Sequence, residues 1–210
     1  MGIIEIKETI TMIVIVLLSI SVHEFAHCYV TDTLGDDTPR SLGRVTLNPI
    51  KHLDPLGTVM IFIMSFSGYG IGWGKPSPFN PDNFKNPRRD RMLTALAGPL
   101  SNIAIALIAV GAFQALAIFD INADFLSMVV LINICLAFFN LLPIFPLDGH
   151  HVLGYFLPDN ARAVLDSPIW GFVFLAIVLI PKLSEVVFGN FFSKVILRIF
   201  DNILYAGVVF

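Results

Sequence analysis

Long runs of apolar residues alternate with short polar stretches along the chain, and they predict helices that cross a membrane. A helix needs about 20 apolar residues to span the hydrocarbon core. Three runs meet that length, at 9–31, 92–119 and 125–147. Ionisable residues interrupt the first run only at His23, Glu24 and His27. The pattern therefore indicates an integral membrane protein.

Two other apolar regions are less regular. Residues 56–74 carry no charge, but four glycines lie between positions 68 and 74. Residues 167–181 are short for a span, and residues 186–210 contain three charged side chains. We expect an all-α membrane protein, a polytopic helical bundle of about five to six membrane segments, with a re-entrant or short extended element near 68–80.

Basic residues indicate how the chain is oriented. Eight of its thirteen Lys and Arg lie in the loops 32–55 and 75–91, and the positive-inside rule places both loops in the cytoplasm. Both can lie there only if 56–74 enters the membrane and returns on the same side; the alternative is a plain span that obeys the rule weakly. Within the first loop, Asp32, Asp36 and Asp37 favour a solvated turn.

Composition supports a membrane protein and excludes other classes. Apolar residues make up 56% of the chain and charged residues 14%, against about 45–50% and about 25% in soluble domains. A net charge of −3 without a basic stripe argues against nucleic-acid binding. Cys28 and Cys135 both lie in apolar runs, which disfavours a disulfide or a thiolate metal site. The length fits one membrane-embedded domain over residues 1–210, with its core at about 9–160 and hydrophobic segments at 167–210.

The motif His23-Glu24-Phe25-Ala26-His27 carries the clearest chemistry. Positions i and i+4 share one face of a helix, so both imidazoles can reach one metal ion, with Glu24 near enough to contact a water beside it. Three ionisable residues within a membrane helix are costly without compensation. A metal ion supplies that compensation, whereas the alternative is a hydrogen-bonded polar patch between helices.

A catalytic zinc site uses three protein ligands and water, so one ligand is missing from the motif. The candidates are Asp148, His150, His151, His52 and Asp54. Asp148 is favoured because Pro143 and Pro146 predict that the preceding helix unwinds, with a turn at Gly149. A lone carboxylate there is expensive unless it is coordinated or protonated, whereas His150 and His151 are expected at the aqueous rim.

The chain resembles the site-2 proteases, the intramembrane zinc metalloproteases. Their two signatures are H-E-x-x-H and N-x-x-P-x-P-x-D-G. The first corresponds to residues 23–27, and the second resembles the stretch from Asn140 to Gly149, which reads N-x-x-P-x-x-P-x-D-G and is one residue longer. Segments 43–49, 72–76 and 97–102 are also similar to the compact prokaryotic branch, and the resemblance covers roughly residues 15–160. No insert is long enough for the PDZ or CBS domain that many relatives carry.

The resemblance implies one zinc ion per chain, bound by His23, His27 and Asp148, with Glu24 activating water. It also implies that Asn140, and less directly Asn102, engage the substrate or support the transition state. The expected function is hydrolysis of peptide bonds in or near transmembrane segments, in regulated proteolysis or removal of remnant signal peptides. The expected location is the cell membrane, multi-pass, with the active site towards the cytoplasm. The expected partners are a transmembrane substrate and the lipid bilayer.

Other hypotheses stay open at the level of sequence. A membrane transporter would also place these side chains in the bilayer, but the chain shows no paired broken helices. A metal-binding scaffold without proteolysis would not need Glu24. The glycine-rich stretch and loop 75–91 could present an extended edge to a substrate, or the glycines could allow close helix contacts.

Overall fold

The computed structural model describes residues 3–66, 72–189 and 192–204, and in this part the chain is helical apart from its loops. The expectation of an all-α protein is thereby confirmed. The α-helices are α1 Ile3–Thr33, α2 Thr38–Ser41, α3 Pro55–Phe66, α4 Pro87–Ala117, α5 Asp124–Asn140, α6 Asp148–Phe156, α7 Asp159–Leu165, α8 Ile169–Leu179, α9 Pro181–Ser184 and α10 Leu197–Leu204. Single 3₁₀ turns lie at Pro49–Lys51 and Pro81–Asn83, and π-helical turns at Glu185–Gly189 and Phe192–Ile196.

Among the described residues, two helices are long and apolar enough to cross a membrane, Ile6–Thr33 within α1 and Pro87–Ala117. They correspond to the predicted runs 9–31 and 92–119. The third run is divided: α5 ends at Asn140 after 17 residues, the backbone is irregular over 141–147, and α6 begins at Asp148. Five to six membrane segments therefore stay a prediction, because the other described helices are shorter.

The expected turn at Gly149 is wrong in its position. Gly149 lies in the first turn of α6, and the turns and bends of the chain lie before it, in the proline-containing stretch 141–147. A side chain at Gly149 would overlap the backbone carbonyls of Leu141 and Leu142. The glycine is thus required for close approach of the helix to the end of α5.

The chain forms two compact units, residues 1–102 and 103–210, and the boundary falls within α4. In the second unit, α5, α10 and the end of α4 enclose an apolar core of fully or nearly fully buried side chains. Its members are Ala106, Ala109, Val110, Val130, Ile134, Ile196 and Leu204. In the tail, residues 186–189 and 192–204 are helical, with π-helical and α-helical turns, and a final membrane span there stays a prediction.

In the first unit, the region 56–74 begins as helix α3, of which 12 residues are described, from Pro55 to Phe66. From Gly72 to Asn80 the backbone is not helical, and Gly74 forms an isolated antiparallel bridge with Leu53. The described part thus agrees with a short helix followed by an extended stretch. The remainder of the 68–80 element lies outside the described residues, and its re-entry into the membrane stays a prediction.

The acidic turn that follows α1 is not fully solvated, contrary to expectation. Asp36 is completely buried. Its carboxylate accepts hydrogen bonds from the backbone and hydroxyl of Thr38, from the Asn80 backbone at 2.6 Å and from the Asn83 amide at 2.8 Å. Burial acts to raise the pKa of Asp36, but these hydrogen bonds outweigh it and lower the pKa below its ordinary value. The carboxylate thereby joins the loops 32–55 and 75–91.

We predict that Asp36→Ala destabilises the first unit by about 1–3 kcal/mol, because four donors lose their acceptor. A lowered folded-state pKa gives stability that is present above the unfolded value of 3.8 and is lost as pH falls through the folded value. Thermal unfolding in detergent between pH 3 and 7 measures both effects. The gap between wild type and variant should narrow at the acid end, and a gap independent of pH would contradict this origin.

Candidate metal centre

Two imidazoles on α1 meet inside the first unit. His23 and His27 lie one turn apart, are 6% and 5% exposed, and bring their Nε2 atoms to 3.0 Å from one another. Their rings are almost perpendicular, at 84°. The i and i+4 spacing read from the sequence therefore produces converging side chains.

A stripe on α4 faces this pair. Thr94, Gly98 and Asn102 follow one another at four-residue intervals and are accordingly on one face of the helix. His23 Nδ1 is 2.6 Å from Asn102 Oδ1, and His27 Nδ1 is 2.7 Å from the Thr94 carbonyl. Helices α1 and α4 are antiparallel here, since His23 contacts Asn102 and His27, one turn later, contacts Thr94.

These contacts determine which imidazole nitrogens carry hydrogen. A carbonyl and an amide oxygen only accept hydrogen bonds, so Nδ1 of each ring donates. In a neutral imidazole the other nitrogen then presents a lone pair, and here the two lone pairs face each other. A buried cation between them resolves the repulsion, and neutral imidazole nitrogen is the form that ligates metals.

The donor set fits zinc. Two nitrogens bound to one zinc ion at about 2.0–2.1 Å in tetrahedral geometry lie roughly 3.3 Å apart, close to the 3.0 Å observed between the Nε2 atoms. Gly98 leaves the required space, because a methyl group there would overlap Nε2 of His27 and lie 2.6 Å from Nε2 of His23. Helix α4 therefore both orients the imidazoles and keeps the room in front of them.

Glu24, the predicted base, lies next to the extended segment that follows α3. A Cβ built on Gly74 would lie 3.2 Å from Glu24 Cγ and 2.7 Å from Ile20 Cγ2, one turn earlier on α1. Glu24 is half-buried, unlike the two histidines. The Glu24 side chain therefore packs next to the non-helical backbone at Gly74.

The remaining predicted residues belong to the second unit. Asp148 is the first residue of α6, and Asn140 is the last residue of α5, where its amide donates to the Leu136 carbonyl at 2.9 Å. The rim position expected for His150 is wrong: this ring is 3% exposed and its Nδ1 donates to the Leu147 carbonyl at 2.6 Å. That bond fixes the last carbonyl before Asp148.

Sequence reasoning missed part of what holds the imidazoles. The Thr94 carbonyl carries no signal in side-chain identity, and Gly98 was noted only within a segment resembling known proteins. Asn102 was expected to engage the substrate, whereas the observed contact assigns it to orienting His23; a contribution to substrate binding stays a prediction. The four-residue spacing of Thr94, Gly98 and Asn102 is the signal that could have revealed the stripe.

Comparison with known proteins supports a metal-dependent peptidase. The sequence profile of peptidase family M50 matches residues 114–180. "Putative zinc metalloprotease YwhC" of Bacillus subtilis is 38% identical over 186 residues, covering 84% of this chain and 83% of the relative. "Putative zinc metalloprotease Rip2" of Mycobacterium tuberculosis is 33% identical, covering 82% and 68%. The Mycolicibacterium smegmatis protein of that name is 30% identical, covering 80% and 66%. No solved structure matches the chain significantly.

We predict that Gly98→Ala lowers zinc affinity by at least about tenfold, because the new methyl group occupies the space in front of both Nε2 atoms. Metal analysis of the purified protein after dialysis against a weak chelator measures the retained zinc. Gly111→Ala is the matched control, since it lies on the same helix and a Cβ there meets nothing within 4 Å. Equal zinc content in both variants would rule out the packing described here.

Proposed function

The chain belongs to peptidase family M50, the site-2-type zinc metalloproteases, and from this we propose that it hydrolyses peptide bonds in or near transmembrane segments of membrane-anchored proteins. It is a zinc-dependent peptidase that acts on protein substrates. The observation that carries the intramembrane assignment is the buried imidazole pair within a helix long enough to span a bilayer. A catalytic centre so placed acts on peptide bonds that lie in or beside the membrane.

His23, His27 and Asp148 are the proposed zinc ligands. Catalytic zinc sites in proteins combine three ligands of the histidine and carboxylate type with one open position. The proline-containing motif from Asn140 to Gly149 supports Asp148, because it ends α5 and starts α6 at the carboxylate. An acidic residue on a short helix between apolar segments is otherwise difficult to explain.

The chemistry divides between the metal and the chain. Bound zinc would polarise the scissile carbonyl and make water a better nucleophile near neutral pH. Glu24 accepts the proton of the attacking water and returns it to the leaving amine. Asn140 and Asn102 each have amide hydrogens suited to an oxyanion, a contribution of roughly 2.7–4 kcal/mol elsewhere; for Asn102 this adds to its contact with His23.

The segment 72–76 is proposed to hold the substrate in extended form. Lys75 N–H donates to the His52 carbonyl at 2.7 Å, on one side of the bridge between Leu53 and Gly74. In antiparallel pairing, a residue pair that is flanked by hydrogen bonds but makes none between its own members directs its N–H and C=O groups away from the partner strand. Gly74 therefore offers both groups beside Glu24, where an unwound substrate segment can add as a strand.

The proposed location is the cell membrane, with the site towards the cytoplasm. His23 and His27 lie in the second half of the candidate span Ile6–Thr33, nearer to the loop that contains Arg40 and Arg44. Loops rich in Lys and Arg are retained on the cytoplasmic side. Suitable substrates are anchored regulators or remnant signal peptides, whose scissile bonds lie near that face.

We predict that Glu24→Gln lowers the rate of cleavage by about 10²–10⁴-fold, while the zinc content stays at that of the wild type. The amide cannot accept the proton, but Glu24 is not one of the proposed ligands. Cleavage of a membrane-anchored reporter in vesicles, with metal analysis of the same preparation, measures both. Glu8→Gln removes an exposed carboxylate from the same helix and is the control. Proteolysis by the Glu24 variant at the control rate would remove Glu24 from this role.

We predict that Asp148→Asn weakens zinc binding by more than about tenfold, because a neutral amide replaces an anionic ligand. Asp159→Asn is the control, since Asp159 is an exposed carboxylate at the start of the next helix, α7. Zinc titration against a competing chelator gives the affinity ratio. An unchanged affinity in the Asp148 variant would transfer the third ligand to another residue.

A further inference from the structure

Arg44 is a buried cation whose partners are backbone carbonyls. It is 4% exposed, and among the described residues no carboxylate lies within ion-pair distance of it. One terminal nitrogen donates to the Lys75 carbonyl at 2.6 Å, and the other is 3.4 Å from the Pro76 carbonyl. A buried charge is costly unless it is hydrogen-bonded. These two carbonyls therefore determine where the guanidinium lies.

The backbone of Arg44 is itself fixed. Its N–H donates to the Pro39 carbonyl at 2.8 Å, across the end of α2. Gly43, immediately before it, has a φ of +65°, a left-handed conformation that glycine adopts without strain. The side chain thus extends from a rigid turn, and the guanidinium is placed by the local fold as well as by its acceptors.

The guanidinium adds a second hydrogen bond to Lys75, next to the isolated bridge between Leu53 and Gly74. The N–H and C=O of one residue in an extended strand point to the same side. Lys75 uses its N–H for the His52 carbonyl and its own carbonyl for Arg44. The Arg44 guanidinium thereby takes the place of a backbone N–H that a continuing neighbouring strand would supply to the Lys75 carbonyl. The chain around His52 does not supply one.

The neighbouring imidazole adds no second charge. Burial lowers the pKa of His52 and the Arg44 charge lowers it further, against the opposite effect of the hydrogen bond to the Thr46 carbonyl. His52 is fully buried, and the lowered pKa disfavours its charged form. Arg44 is the charged group that faces these carbonyls.

The hydrogen bonds of Lys75 with His52 and Arg44 support the backbone beside Glu24. Gly74 directs its N–H and C=O away from Leu53, and it approaches Glu24 Cγ and Ile20 on α1. A shift of Lys75 by one residue would reverse the direction of these groups. The register of the segment therefore decides whether a substrate strand meets the carboxylate.

We propose that Arg44 is a positioning residue, which holds segment 72–76 extended and in register so that its free edge aligns the substrate with Glu24. That the segment aligns a substrate rests on the proposed function. That Arg44 orders the segment does not depend on it. Arg44 contacts neither the imidazoles nor Glu24 in the described hydrogen bonds. Its loss should therefore alter substrate binding more than the metal or the proton transfer.

The test compares Arg44→Gln, Arg44→Lys and Arg40→Gln with the wild type. Arg40 is the matched control, an exposed arginine in the same loop that pairs with Asp32. Amide hydrogen exchange of the peptide covering 72–76, zinc content, and KM and kcat on a fluorogenic transmembrane peptide in phospholipid vesicles are measured for each. Arg44→Gln should exchange the Lys75 amide at least about tenfold faster and raise KM by about tenfold, with wild-type zinc and a smaller change in kcat. Arg44→Lys, which can donate to one carbonyl, should recover part of both losses.

Two results would overturn the proposal. One is exchange and KM in Arg44→Gln that equal those of Arg40→Gln. The other is loss of zinc and of folded protein in both Arg44 variants, which would make the residue a general support of the fold. Amide exchange is measured without substrate, so it tests the role of Arg44 even if the wild-type protein does not cleave the peptide. Lack of cleavage by the wild type would count against the proposed function instead.

Discussion

The close approach of His23 Nε2 and His27 Nε2, on a helix long enough to span a membrane, is the constraint on which the packing of α1 against α4 depends. Each ring is turned by a hydrogen bond from Nδ1 to an oxygen on α4, and each turn directs Nε2 towards the other. The arrangement requires the stripes of α1 and α4 to run antiparallel in register, so that Thr31 and Thr94 also meet, at 3.3 Å between their hydroxyl oxygens. It further requires the absence of a side chain at Gly98. Helix packing and metal chemistry are thus one requirement.

Hydrogen bonds to buried polar groups also organise the loops next to the candidate spans. Asp36 and Arg44 are both buried. Arg44 donates to the Lys75 and Pro76 carbonyls, and Asp36 takes two of its four hydrogen bonds from Asn80 and Asn83. A carboxylate receives N–H donors and a guanidinium donates to carbonyls, so the loop is held at both ends. The backbone next to Glu24 is therefore ordered by charged side chains, although no regular sheet supports it in the described part of the chain.

The sequence was sufficient for features with a strong local signal. Apolar length predicted α1 and α4, the i and i+4 histidines predicted the converging pair, and the prolines predicted the irregular stretch after Asn140. It was insufficient where a residue's role depends on a distant partner. Asp36 looked like a solvated acid, and its burial arises from Asn80 and Asn83, more than 40 positions later. His150 looked like a rim residue because the Leu147 carbonyl that binds it has no side-chain signature.

The fixed orientation of the imidazoles distinguishes a resident metal from a transported one. An ion in a transport path must bind weakly enough to leave for the next site, which flexible or exchangeable ligands permit. His23 and His27 are instead each held from behind by a buried partner on another helix, and such partners tighten and orient metal binding. A metal ion held by such ligands would be suited to the Lewis-acid chemistry of hydrolysis and poorly suited to conduction.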